Sequence, residues 1–79
     1  MAFTPLNSLN AFIAVARRLS YAAAARDLGV STSALSQSVR QLEERLDATL
    51  LTRTSRNVSL TDAGHRLLET AGPAVEQAL

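Results

Sequence analysis

Four side chains able to bond an anion or a base edge recur on one face of a short stretch. They are Ser33, Ser36, Gln37 and Arg40 in Ser31–Arg40, STSALSQSVR. At about 100° per residue they fall opposite Leu35, Val39, Leu42 and Leu46, whose spacings of 4, 3 and 4 mark an apolar helical stripe. A helix face that serves only to be solvated more often carries Glu and Lys. Hydroxyl, amide and guanidinium groups instead reach phosphate oxygens and base edges. The charge pattern agrees. All eight basic residues are Arg, and no acid lies between Asp27 and Glu43 or between Asp47 and Asp62. The first acid-free window holds the polar face, and the second holds Arg53 and Arg56. A net charge of +1 alone says little, but a local basic surface can bind a polyanion.

These residues need elements to position them. Ser20 caps a helix from Tyr21 to Leu28, and Gly29 supplies the left-handed residue that ends it. The alanines Ala22 to Ala25 leave a flat surface that a second helix can approach closely. Val30 turns inward, and Ser31 caps the helix that starts near Thr32. Two short helices around a tight turn, the second with a polar face, form a helix-turn-helix pattern. Ahead of it, Leu6, Leu9, Phe12, Ile13, Ala16 and Leu19 predict a scaffold helix over Leu6–Leu19, with Arg17 and Arg18 at its solvated end. Glu43 and Glu44 read as a solvated face that keeps that end of the polar-faced helix off phosphates, and Arg40 with Glu44 makes an i,i+4 pair.

The stretch Ala48–Leu60, ATLLTRTSRNVSL, loses the helical period and predicts two strands, Leu50–Arg53 and Val58–Leu60, with Ser55-Arg56-Asn57 at the tip. A lone hairpin is marginal, so it must pack through Leu50, Leu51, Val58 and Leu60. A hairpin in this position is a wing, and an arginine at its tip suits a narrow minor groove. From Thr61 a last helix carries the stripe Ala63, Leu67, Leu68, Ala71, Val75 and Ala78, with a kink or break predicted at Gly72-Pro73. That stripe either folds back on its own core or pairs with a second copy. Gly64 marks a place where another backbone comes close, and Tyr21 reads as an aromatic at the edge of the core.

Composition narrows the classes. Seventy-nine residues with 47% hydrophobic side chains support one small core, with few aromatics. No cysteine means no disulfide and no cysteine-ligated zinc, which fits a reducing cytoplasm. No apolar run has the length of a membrane span, and MAFTPLNS shows no secretory signal pattern. The lone histidine, His65, has only Asp62 near it, and no phosphate-cradling glycine loop or nucleophile motif occurs. An enzyme, a metal site and a cofactor are therefore not expected. Two readings stay open: a DNA-binding domain, or a helical interaction module whose last helix holds a partner.

A resemblance bears on that choice. The series Ser20-Tyr21, Ala24-Ala25, Leu28, Val30-Ser31, Ala34-Leu35-Ser36, Val39-Arg40, Leu42-Glu43, then Leu46, Leu50-Leu51, Arg53-Thr54, Arg56, Leu60-Thr61 and Ala63-Gly64 resembles the N-terminal domain of LysR-type bacterial transcriptional regulators. The match runs from about Leu6 to Leu79. It implies a mainly α winged helix-turn-helix, a three-helix core plus a two-stranded wing, at residues 1–60. A linker helix that mediates dimers would begin at 61–79. It also implies a C-terminal domain that binds a small-molecule effector, tetramers in the full-length regulator, and a chain cut within the linker helix. By the same resemblance Thr32, Ser33, Ser36 and Gln37 face bases of double-stranded DNA in the major groove, and Arg56 enters the minor groove. Ser31, Arg40 and Arg53 contact phosphate or support that surface. Ala63, Leu67, Leu68, Ala71 and Val75 form the homodimer face. Thr32, Ser33 and Gln37 depart from the family's frequent Gln, Pro and Arg, which alters which bases would be read.

Overall fold

The computed structural model describes residues 7–54 and 57–78, with side chains described as far as Ala71. Four helices and one hairpin follow in the order α1 (Ser8–Arg18), α2 (Tyr21–Leu28), α3 (Thr32–Leu46), β1 (Leu51–Arg53), β2 (Val58–Leu60) and α4 (Asp62–Ala78). This is the mainly α winged helix-turn-helix that the sequence pattern predicts.

The packing centre is α1. Its Ala11, Phe12, Ile13, Val15 and Ala16 are all buried, and α2, α3 and α4 each pack against it. Asn7 caps it by accepting from the Asn10 N–H at 2.8 Å; the predicted start at Leu6 lies outside the described residues. The helix stops at Arg18, one residue short of the predicted Leu19. Leu19 adopts φ 50°, bonds the Val15 carbonyl and stays exposed. Arg18 pairs with Asp27 of α2 at 2.8 Å on an open surface, where ion pairs contribute little.

The turn between α2 and α3 is built as its residue types dictate. Ser20 Oγ accepts from Ala23 N at 3.1 Å and Ser31 Oγ from Ala34 N at 3.1 Å. Gly29 takes φ 69°, and the Val30 N–H returns to the Ala25 carbonyl at 3.0 Å. That reversal satisfies carbonyls that the end of α2 would otherwise leave unpaired. Ala24 and Ala25 are buried, and Leu35, Val39 and Leu42 of α3 join the same core. Leu46 does not. It is 50% exposed at the last position of α3, next to Arg45, which donates to Ser8 Oγ in the first turn of α1 at 2.7 Å. The stripe has there reached the rim of the core.

The hairpin is antiparallel, in the register Leu51↔Leu60, Thr52↔Ser59 and Arg53↔Val58. Thr54 and Asn57 close it: Thr54 N donates to the Asn57 carbonyl at 2.8 Å, and Asn57 N to Thr54 Oγ1 at 3.0 Å. Two tip residues, Ser55 and Arg56, lie outside the described residues. Leu50 and Leu51 are buried, and Val58 and Leu60 pack partly on the core. The strand starts at Leu51, not at the predicted Leu50, because the Leu50 N–H is taken by Glu43.

Thr61 caps α4, accepting from Gly64 N at 3.0 Å while its hydroxyl donates to the Thr49 carbonyl at 2.6 Å. Of the kink or break predicted at Gly72-Pro73, the break is absent: α4 runs through to Ala78. A proline removes one amide donor and crowds one turn, which bends more often than ends a helix whose flanking turns persist. Ala63, Leu67 and Leu68 lie partly buried against the core of their own chain, while Val75 lies beyond the described side chains. Among the described residues no helix is long and apolar enough to cross a membrane.

Candidate nucleic-acid interface

The cap at Ser31 and the apolar stripe Leu35, Val39 and Leu42 fix the rotation of α3 about its axis. With those residues inward, Thr32, Ser33, Gln37 and Arg40 are exposed and Ser36 is half-buried. These five side chains and Arg53 from β1 line one open groove of about 430 Å³. None of the six is acidic. The groove therefore offers hydroxyl, amide and guanidinium groups to an acceptor-rich ligand with no fixed negative charge in its wall.

Of the eight binding residues expected from the sequence, these six come together. Ser31 does not line the groove; its hydroxyl accepts from the Ala34 amide. It shapes the surface by starting the helix. Arg56 falls outside the described residues.

Arg53 reaches the groove for a structural reason. In β1 the odd-numbered side chains share a face, so Arg53 follows buried Leu51 toward the helical body. There its guanidinium carbon sits 4.2 Å from the centroid of the Tyr21 ring. Stacking uses the face of the guanidinium and leaves its N–H edges for acceptors. Partial burial pushes the Tyr21 phenol above its ordinary range, with Arg53 opposing that rise, so the hydroxyl stays protonated at neutral pH. Tyr21 is thus the core-edge aromatic that was expected, and in addition the seat of Arg53.

Glu43 departs from its expected role. It is half-buried, and one carboxylate oxygen accepts from Leu50 N at 2.8 Å and Leu51 N at 3.3 Å. Sequence reading missed this bond because it joins α3 to β1 across the Asp47–Thr49 turn and follows no periodicity. No group of three or more potential metal ligands occurs among the described residues.

Comparison with known proteins places the arrangement. Residues 6–65 match the family described as bacterial regulatory helix-turn-helix protein, lysR family. The chain belongs to the LysR family. A transcriptional regulator of Pseudomonas aeruginosa is 57% identical over 67 residues, 85% of this chain and 22% of that protein. The HTH-type transcriptional regulator PgrR of Escherichia coli is 52% identical over 65 residues, covering 82% of this chain and 22% of PgrR. This LysR-family chain thus spans about a fifth of the length of the curated relatives it matches. Among solved structures, the BenM DNA-binding domain in complex with a catB site superposes with a TM-score of 0.84 at 34% identity, over 90% of this chain and 79% of that one. Full-length CbnR complexed with its target DNA gives 0.82 at 41% identity, over 99% of this chain and 26% of CbnR.

Proposed function

We propose that this LysR-family domain binds double-stranded DNA sequence-specifically, with α3 in the major groove and the wing in the minor groove. The observation that carries the reading is the acid-free groove in which Thr32, Ser33, Ser36, Gln37, Arg40 and Arg53 converge. Thr32, Ser33, Ser36 and Gln37 face base edges in this reading. Arg40 and Arg53 meet phosphates, Ser31 sets the start of the helix, and Arg56 enters the minor groove. The similarity to BenM and CbnR, both solved with DNA, supports the docking. Gln37 pairs well with adenine through two hydrogen bonds, whereas arginine favours guanine.

In the whole regulator, residues 1–60 act as the DNA-reading unit and 61–79 open the linker helix. Ala63, Leu67, Leu68, Ala71 and Val75 contribute to a homodimer face, and full-length chains assemble as tetramers. A small-molecule effector binds a separate domain and modulates transcription. The protein is a non-catalytic regulator, acting in the bacterial cytoplasm on the nucleoid. Relatives named as transcriptional regulators support that role.

An NMR amide-shift titration with a mixed-sequence duplex at low salt tests the interface. Shifts confined to about Ser31–Arg40 and Arg53–Val58 are expected. Absence of shifts there, or shifts confined to α4, overturns the reading in favour of an interaction module.

A further inference from the structure

A hairpin with three residues per strand does not hold its own orientation. Something must set the angle of the wing, and the described bonds converge on β1. Its entry is held by Glu43, whose carboxylate accepts from the Leu50 and Leu51 amides. The Leu50 carbonyl accepts from Thr61 N at 3.0 Å, tying the same point to the start of α4. At the far end of β1, Arg53 lies over Tyr21 of α2. Glu43 is distinctive because it stands on α3 itself, one turn after Arg40 of the reading face. It touches none of the groove.

From this geometry we infer that Glu43 is a positioning residue for DNA recognition. By holding β1 on α3, it makes the wing and the recognition helix one rigid reader and places Arg53 at the groove. The inference rests on the DNA-binding reading. Its chemistry gives a sign that simple electrostatics does not. A carboxylate near phosphates repels them, so neutralising it should tighten binding, and keeping the charge should leave binding unchanged. If Glu43 instead acts by reach, geometry decides and charge does not.

Two variants separate these causes. Glu43→Gln removes the charge and keeps an acceptor oxygen at the same reach. Glu43→Asp keeps the charge and withdraws it by one methylene from the two amides. Affinity for a selected duplex is measured by fluorescence anisotropy, and amide hydrogen exchange is followed in the free proteins. Glu43→Asp should bind about tenfold more weakly, and Glu43→Gln within about threefold of the parent protein. Exchange at Leu50 and Leu51 should accelerate in Glu43→Asp while amides of α3 keep their protection. The salt dependence of Glu43→Asp should flatten toward that of Arg53→Ala, by a slope of about 0.9 for one lost phosphate contact. In the double variant Glu43→Asp/Arg53→Ala the two losses should not add. Parental affinity in Glu43→Asp, or additive losses, overturns the inference. A parent protein that binds no duplex removes the DNA-binding reading instead, and the exchange data still report on the tie between Glu43 and β1.

Discussion

Gly64 gives the sharpest stability test. It is buried in the first turn of α4, where its own N–H bonds Thr61 Oγ1. A Cβ built there would overlap the Leu50 carbonyl oxygen, and would lie 3.1 Å from the Leu50 carbonyl carbon and 3.0 Å from Leu60 Cδ2. Leu60 is a flexible side chain and can turn aside. The Leu50 carbonyl is backbone. It accepts from Thr61 N, and its residue's own N–H is held by Glu43, so it cannot retreat without loosening both bonds. Overpacking of this kind costs about 3 kcal/mol at the upper end of its range. Weakening one backbone hydrogen bond adds about 1 kcal/mol, and alanine in a helix recovers about 1 kcal/mol relative to glycine. The net loss expected for Gly64→Ala is about 3 kcal/mol. In a domain of this size that lowers Tm by about 12 °C or more. Thermal melts by circular dichroism, with urea titration as a second measure, check it. A variant that melts at or above the parent temperature would show that helix propensity outweighs the close approach, and would refute the packing argument.

Other substitutions isolate single causes. Gly29→Ala meets no atom within 4 Å, so its cost comes from the φ of +69° alone, about 1–2 kcal/mol, and Gly29→Asn should recover part of that in the same melts. Leu35→Ala empties a fully buried site in the first turn of α3 and should lose about 2–5 kcal/mol by urea titration. Ser31→Ala removes the cap of α3 at a cost of about 1 kcal/mol, and faster amide exchange at Ala34 should report it. Arg40→Ala should flatten the salt dependence of duplex binding by about 0.9 in slope. Gln37→Ala should leave that slope alone and relax base preference at one position in a duplex-selection experiment.

What the sequence made legible was local. The caps at Ser20 and Ser31, the left-handed Gly29 and the span Tyr21–Leu28 all appear as their residue types dictate, because each depends on groups within four residues. The polar face of α3 was legible for the same reason: helical periodicity alone puts Ser33 and Gln37 opposite Leu35 and Val39, with Ser36 at the flank. Contacts that join distant elements were not legible. Arg45 to Ser8, Arg53 over Tyr21 and Glu43 to β1 depend on where the turns deliver the chain, and no short-range pattern encodes them. The exposure of Leu46 belongs with these, since a periodic stripe does not reveal where the core beneath it ends.

Glu43 shows how such a contact leaves a trace in sequence. The last turns of α3 carry Glu43 and Glu44, with Asp47 at the cap. Acids at a helix C-terminus oppose the macrodipole, which there favours cations. Another partner can offset that unfavourable interaction. For Glu43 the partners are two backbone N–H groups at the start of β1, which would otherwise enter the core unpaired. The same bonds occupy the acid that follows the polar face of α3 most closely in the chain. Asp27, the acid that precedes it most closely, is engaged by Arg18 through two hydrogen bonds of 2.8 and 3.1 Å. Both acids that bracket Ser31–Arg40 are thus turned to partners of their own. A net charge of +1 therefore understates how well this face suits a polyanion, because the arrangement of the acids sets the local field and the overall sum does not.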